Sequence, residues 1–315
     1  MVAGWPAARV ESPVVLVALV VAALAVVGVR RLPRYRRRTA TVGLLAVALC
    51  LATVGCALRP HPTWTPPDGL RVTFLDVGQG DAVLVETAGG SMLVDEGPPE
   101  ADVAGQLRRA GVRSLTALVL THPQRDHIGG AAEVVRRLRV SAVVDPELAV
   151  DSPDRAAVLR LARDTAVPVV VARTGRSFRL GRAVVRVLWP EDEGLVSEDP
   201  NENAVVLVVS FGRTDVLLTA DAESPVTSRL RLAPVEVLKV AHHGSEDSGL
   251  PELLQRLAPR VAVISVGKGN DYRHPRPETL AALAAAPGLA TWRTDEDGRV
   301  VVESDGRSLT VRSER

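Results

Sequence analysis

Three stretches of this sequence read as buried strands, and each runs straight into residues that bind metals. Thr116–Leu120 leads into Thr121-His122-Pro123-Gln124-Arg125-Asp126-His127-Ile128-Gly129-Gly130. Val216–Leu218 leads into Thr219-Ala220-Asp221-Ala222-Glu223, and Leu238-Lys239-Val240 into Ala241-His242-His243-Gly244-Ser245. The chain holds only six histidines, and His122, His127, His242 and His243 all fall in these turns. A strand, a tight loop and a Gly-Gly helix start gather His122, Asp126 and His127 in one place. Imidazole nitrogens with carboxylates suit Zn²⁺, Mn²⁺ or Fe. A single strand-end histidine is more often structural than a ligand. Three such ends together require strands that deliver their side chains to one sheet edge.

Around these turns the pattern is mixed. Strand signals run through Arg71–Leu75, Ala82–Glu86 and Ser91–Val94, each β-branched or apolar and bounded by turns with Gly or Asp. Helical patterns follow at Ala101–Ala110, Ala131–Leu138 and Arg155–Thr165. A second set of strands covers Val169–Val171, Ser177–Leu180, Val184–Leu188, Ala204–Phe211 and Asp215–Leu218. Then come Glu236–Val240, a helix near Pro251–Leu257, strand Val261–Val266 and helix Pro277–Ala285, with strands near Thr291–Trp292, Val300–Glu303 and Ser308–Val311 at the end. Strand blocks and helices in two similar halves predict an α/β fold, a four-layer αββα sandwich rather than a doubly wound parallel sheet.

The N-terminal part is of another kind. Pro13–Val29 and Thr41–Leu58 are apolar and free of charge, each near the lower limit of about 17–20 residues for a membrane span. Six arginines lie between them (Arg30, Arg31, Arg34, Arg36, Arg37 and Arg38). So basic a loop predicts a cytoplasmic hairpin, which puts the following domain outside the plasma membrane. A signal peptide would carry its positive charge before the apolar run, not after it. Residues 1–58 are therefore expected to form two transmembrane helices, the Pro-rich stretch 59–69 a tether, and residues 70–315 the catalytic domain. Cys50 and Cys56 both lie in an apolar run and say nothing about the redox compartment of that domain. Residues 61–315 carry a net charge of about −6 against +7 for residues 1–60, so the domain lacks the basic footprint usual for non-specific DNA binding.

The order of motifs resembles the metallo-β-lactamase fold superfamily. More closely, Leu75-Asp76-Val77-Gly78-Gln79-Gly80-Asp81-Ala82, the run from Thr121 to Gly130, Leu217–Glu223, Leu238–Ser248 and Ser265-Val266-Gly267 with Asn270, Tyr272, His274 and Pro275 are similar to the C-terminal domain of ComEC-type DNA-uptake (competence) proteins. The resemblance covers about residues 70–312. It implies a metal-dependent hydrolase joined to a membrane channel, although two spans alone make no pore. The superfamily pattern is His-x-His-x-Asp-His, and Gln124 stands here at the second histidine. No histidine occurs between His127 and Asp221, where the superfamily has one. The resemblance then implies a first site reduced to His122, Asp221 and weak amide ligands such as Gln124 or Asn203. The second site keeps Asp126, His127, Asp221 and one of His242 or His243. One firmly held Zn or Mn ion is expected, with a second bound weakly.

For the chemistry, Asp126 is expected to orient or deprotonate water besides binding metal, and Asp221 to bridge metals when both are present. Ser245, His274 and the other member of the histidine pair are candidates for holding substrate oxygens, with His274 also a candidate general acid. Lys268, in a glycine-flanked loop, suits a phosphate contact, though an exposed loop cation explains it equally. Asp81, after two glycines that let backbone approach closely, and Asp95, at a strand end, are expected to orient the metal histidines. The expected activity is a phosphodiesterase or nuclease acting on DNA. The alternatives are a small-molecule ester or phosphoester hydrolase and a non-catalytic domain that binds DNA or a partner. Expected partners are the bilayer, DNA, and a channel protein or further copies of the chain; no nucleotide cofactor is expected.

Overall fold

Period-two alternation of valine and leucine decides where the strands lie. Ala183–Trp189 buries Ala183, Val185, Val187 and Trp189 and exposes Arg186, while Val83–Thr87 is buried along its whole length. The first half of the domain gives β1 (Leu70–Phe74), β2 (Val83–Thr87), β3 (Gly90–Val94), β4 (Ser114–Leu115), β5 (Ala117–Val119), β6 (Arg139–Val140), β7 (Val143–Asp145) and β8 (Val169–Val171). The second gives β9 (Ser177–Leu180), β10 (Ala183–Trp189), β11 (Val206–Phe211), β12 (Thr214–Leu218), β13 (Val237–Lys239), β14 (Val261–Ile264), β15 (Ala290–Arg293), β16 (Val300–Ser304) and β17 (Leu309–Ser313). The computed structural model describes residues 65–191 and 197–315. The two apolar runs, the arginine loop and most of the tether lie outside these residues. Among the described residues no helix is long and apolar enough to cross a membrane.

The strands form an eight-stranded sheet of order β17-β16-β1-β2-β3-β5-β7-β8, a seven-stranded sheet of order β15-β14-β13-β12-β11-β10-β9, and a side ladder of β4 with β6. The C-terminal hairpin β16–β17 thus returns to the N-terminal sheet, β16 pairing antiparallel with β1 from Leu70↔Ser304 to Phe74↔Val300. The central core is pressed between the sheets: Val72, Phe74, Val85 and Met92 from one face Val185, Leu207, Val209 and Val263 from the other. Helices α1 (Val103–Arg109), α2 (Arg125–Ile128), α3 (Ala131–Arg137) and α4 (Pro153–Asp164) follow β3, β5 and β7. Leu107, Val134 and Val158 cover the outer face of the first sheet. On the second sheet, α5 (Ser224–Thr227), α6 (Leu250–Leu257) and α7 (Pro277–Ala285) do the same through Val226, Leu253, Leu254 and Leu283. The result is the expected αββα sandwich.

Local chemistry explains the helices. α6 buries Leu250, Leu253, Leu254 and Leu257, one stripe at the spacing of a helix face, each burial contributing roughly 1.5–3 kcal/mol. α4 starts where the Ser152 hydroxyl accepts from the Arg155 N–H at 3.3 Å, with Pro153 in its first turn. Several elements escape the sequence pattern. β7, β4 and β6 are too short for periodicity to register, and α2 and α5 are single turns that read as loop.

Parallel pairing positions the site. β3, β5 and β7 run parallel, as do β12, β13 and β14. Their C-terminal ends therefore come out on one side of each sheet. Backbone joins the two sides there: the Val205 N–H donates to the Thr121 carbonyl at 3.0 Å. The ligand-bearing turns follow β5 in one sheet and β12 and β13 in the other, so the site lies where two sheets end and not on one sheet edge.

Candidate metal centre

His122, at the end of β5, and His127, inside α2, have ring centroids 4.1 Å apart with planes tilted by 53°. His127 Nε2 is 3.1 Å from Asp221 Oδ2, which follows β12. His243, after β13, places its Nε2 3.5 Å from the same oxygen and 3.4 Å from Asp126 Oδ2. Side chains from three turns thus converge, His127 and His243 on Asp221 and His243 on Asp126, with His122 Nε2 4.0 Å from Asp221 Oδ2 beside them. His122, His127, Asp221 and His243 are buried, and Asp126 is half-buried.

The backbone is bent to make this possible. Asp95, Ala220, His242 and His243 are non-glycine residues at φ between 47° and 58°, a conformation costing on the order of 1–3 kcal/mol each. The consecutive left-handed pair at His242 and His243 sends the two rings to different places. His243 points into the cluster. His242 is half-exposed at the rim, its Nδ1 3.1 Å from Glu223 Oε1 and its ring edge-on to His274 at 5.6 Å. Of the two candidates, the structure brings His243 to Asp126 and Asp221.

Each buried ring is oriented through its Nδ1. His127 Nδ1 is 2.7 Å from Asp95 Oδ2 and His243 Nδ1 is 2.9 Å from the Ser265 carbonyl. Both partners only accept, so both Nδ1 atoms carry hydrogen. The Thr121 hydroxyl donates to Asp95 Oδ2 at 2.7 Å, which leaves its oxygen to accept from His122 Nδ1 at 3.0 Å. In the neutral rings all three Nε2 atoms then present lone pairs to one space, with Asp95 as the acceptor that organises two of them.

That space fits a cation. Nε2 of His122, His127 and His243, both oxygens of Asp221 and Asp81 Oδ1 are buried with no hydrogen-bond partner, which is costly unless something else satisfies them. His122, His127 and Asp221 form one group of converging ligand atoms and Asp126, His127 and His243 another. The 3.1, 3.4 and 3.5 Å contacts of His127 with Asp221, His243 with Asp126 and His243 with Asp221 are close to the spacing of about 3.3 Å between ligand atoms with metal bonds near 2.0–2.1 Å. Two further groups, Asp81 with Asp221 and His243, and Asp81 with Asp95 and His127, also bring ligand atoms together.

With protons in place of a cation, the charges compensate one another. Burial opposes ionisation of Asp221, yet His127, His243 and Lys239 hold it well below the usual carboxylate range. Burial likewise opposes the charged form of His243, but Asp221, Asp126 and Asp81 raise it to about 9. His127 is raised well above its ordinary value by Asp221 and Asp95 against the same burial. His122 goes the other way, to about 3, through burial and the neighbouring His127. Glu96, next to Asp95, has both oxygens buried and unpartnered; burial and the Asp95 charge push it well above the usual carboxylate range.

Other expected residues fall around this centre. Asp81 takes an ion pair from the buried Lys239 ammonium, which also donates to the Ala220 carbonyl at 2.8 Å and stands 3.8 Å from Asp221 Oδ1. The Ser245 hydroxyl donates to Glu223. Gln124, at the superfamily's second histidine, gives its amide to Asn201 Oδ1 at 2.8 Å, and Asn201 Nδ2 is 3.5 Å from His242 Nε2. Asn203 is buried, its amide donating to the Ser197 and Asp199 carbonyls at 2.8 and 2.7 Å within its own loop, and Asn201 is the asparagine that meets His242. Lys268 is exposed in its loop. His274 is held down at about 4 by burial and by His242 and His243, so it is neutral near pH 7. Lys239, Glu223 and Asn201 complete the centre. Glu223 sits in the same turn as Asp221, but nothing in the sequence singles out Asn201.

Gly80 shows how tightly the turns are fitted. A Cβ there would stand 2.2 Å from the Asp126 carbonyl oxygen, the group that accepts from the Asp81 N–H, and its φ of 139° disfavours a side chain in any case. Gly80→Ala must displace the Asp126 turn. It is expected to cost roughly 1–3 kcal/mol and to weaken metal retention, checked by thermal unfolding with and without metal.

The sequence pattern of the Metallo-beta-lactamase superfamily matches residues 75–268, the segment that carries every ligand named above. ComE operon protein 3 of Bacillus subtilis (strain 168) is 31% identical over 254 residues, covering 73% of this chain and 32% of that protein. Competence protein ComA of Neisseria gonorrhoeae is 30% identical over 291 residues, covering 84% and 39%. The chain thus spans well under half the length of either relative. Among solved structures, CmlA, a diiron β-hydroxylase from Streptomyces venezuelae, shares the fold at TM-score 0.54 and 17% identity, over 76% of this chain and 55% of that one. Motif order, sandwich topology and pattern match agree, and the chain belongs to the metallo-beta-lactamase superfamily.

Proposed function

We propose that this domain is a metal-dependent phosphodiesterase that cleaves DNA, held at the outer face of the plasma membrane by the apolar runs 13–29 and 41–58. The observation that carries the hydrolase part is the convergence of three buried, unpartnered Nε2 atoms with the Asp221 carboxylate. DNA as substrate is favoured by the resemblance to the competence proteins. Asp126, His127, Asp221 and His243 would hold one Zn²⁺ or Mn²⁺ ion, with His122 and Asp221 left for a weaker second. A bound divalent cation supplies Lewis acidity and brings the pKa of water at the site to around 7.

The chain's own residues do the rest. Asp126, half-buried and 3.4 Å from His243 Nε2, is held below the usual carboxylate range by His243 and His127 against its burial, so its free oxygen accepts and orients a water proton. The acid is better supplied by His242. Its burial disfavours the charge, but Glu223 and Asp221 raise it above the ordinary histidine value, and it stands at the rim where a leaving oxygen departs. Neutral His274 beside it accepts a hydrogen bond and does not donate a proton.

The test is turnover. Loaded with Mn²⁺ or Zn²⁺, the chain is expected to cleave single-stranded DNA, and Asp126→Ala to lower kcat/KM by about 10²–10⁴-fold. Turnover of small esters with DNA left intact would move the assignment to a small-molecule hydrolase. Metal uptake with no turnover would leave a binding domain.

A further inference from the structure

Within the phosphodiesterase reading, on which this inference rests, the loop between β14 and α7 orients His243 through the Ser265 carbonyl; its residues 267–273 have no role in the metal centre, yet they are built rather than slack. Asn270 gives its amide to the Gly267 and His274 carbonyls at 2.9 and 2.6 Å and accepts from the His274 N–H at 3.0 Å. The Gly267 N–H in turn donates to Gln79 Oε1 at 3.1 Å, tying the loop to the turn that carries Asp81. On this frame Tyr272 is held out to solvent at 64% exposure. Most large apolar side chains of the domain are inside, so an aromatic ring displayed beside the metal centre calls for an explanation.

The ring is part of a file. Tyr272 lies 5.8 Å from His274 with planes 31° apart, His274 lies 5.6 Å from His242, and His242 lies 6.1 Å from His243 in the cluster. Lys268, Arg273 and Arg276 lie in the same loop segment, residues 267–276, with Asp271 its only acid, although residues 61–315 are acidic as a whole. None of the three cations makes an ion pair with a carboxylate among the described residues. A flat aromatic face, packed against an imidazole and followed and preceded in the loop by cations with no ion pair among the described residues, presents two chemistries together: stacking for a base and charge for a phosphodiester.

We infer that Tyr272 is the platform on which a nucleobase of a single-stranded substrate stacks next to the scissile phosphate, with Lys268 and Arg273 on the neighbouring phosphates. Tyr272 is a binding residue here, not a catalytic one. Its ring face is what matters, so the hydroxyl is dispensable.

The experiment compares the metal-loaded full chain and its variants on oligothymidylate and on an abasic oligomer of equal length. Tyr272→Ala is expected to lower kcat/KM on oligothymidylate about 5- to 150-fold, the range of one lost base stack, through KM with kcat nearly unchanged. Tyr272→Phe is expected to stay within about twofold of wild type. Neither variant should change turnover of the abasic oligomer, and the same mean melting temperature for all three chains shows that folding is not the cause. Equal losses on both oligomers, or no loss from Tyr272→Ala, overturn the inference while leaving the nuclease reading in place. Failure of the wild-type chain to act on either oligomer overturns both.

Discussion

Asp221→Asn is expected to abolish metal retention and to lower any metal-dependent turnover by at least about 1,000-fold, the equivalent of some 4 kcal/mol of transition-state stabilisation. The reason is the position of one carboxylate. Asp221 Oδ2 is within 4.0 Å of Nε2 of His122, His127, His242 and His243, and its Oδ1 faces the Lys239 ammonium. No other carboxylate of the centre approaches all four histidines. The asparagine has the same shape, so no cavity opens; what disappears is the charge. In the metal-free chain near neutral pH, His127, His243 and Lys239 then lose a shared counter-charge at full burial, a change that costs about 3–5 kcal/mol when a buried pair is broken. Metal analysis of the purified variant and its urea midpoint measure the two halves separately. A variant that kept its metal and its midpoint would show that Asp221 is not the hub of the site.

Much of this centre can be read from the chain because its ligands sit next to strong local patterns. β5, β12 and β13 are buried apolar strands and each is followed at once by ligand residues, so hydrophobic periodicity dates the turn and residue chemistry names its contents. The sandwich follows the same way: α6 is a plain amphipathic helix, and the strand limits differ from expectation by only a residue or two at most ends. The choice between His242 and His243 is another matter. Neighbours in sequence have equal claims until φ values of 48° and 53° turn one ring inward and the other to the rim.

Long-range partners are equally hidden. Lys239 lies in β13 and pairs with Asp81, which follows β1; no spacing rule connects residues so far apart. Asn201 and Asn203 lie in one short turn, and only the backbone direction of residues 197–203 shows that the Asn203 amide is spent within its own loop while Asn201 reaches Gln124 and His242. Asp95 was legible as a strand-end acid. Its bonds to Thr121 and His127, which settle the ring orientation of two histidines, belong to the pairing of β3 with β5.

The proton content of the centre makes metal binding strongly pH-dependent. Without metal, His243 titrates at about 9 and His127 well above its ordinary value, so both are charged at pH 7. Asp126 and Asp221 are already ionised, and His122, at about 3, is neutral. A cation that takes Nε2 of His127 and His243 must expel two protons. Its apparent affinity should then rise by about a hundredfold for each pH unit between 6 and 8, at 1.36 kcal/mol per proton and unit. Stability moves in the opposite sense for the metal-free chain. A histidine raised above its unfolded value stabilises the fold fully below about 6.5, and that contribution fades as pH rises towards the folded value of about 9. The gap between melting temperatures with metal and with chelator should therefore widen steadily from pH 6 to pH 8. Calorimetry in two buffers of different ionisation enthalpy counts the protons released, and a gap independent of pH, with no proton released, would mean that these two imidazoles do not bind the metal.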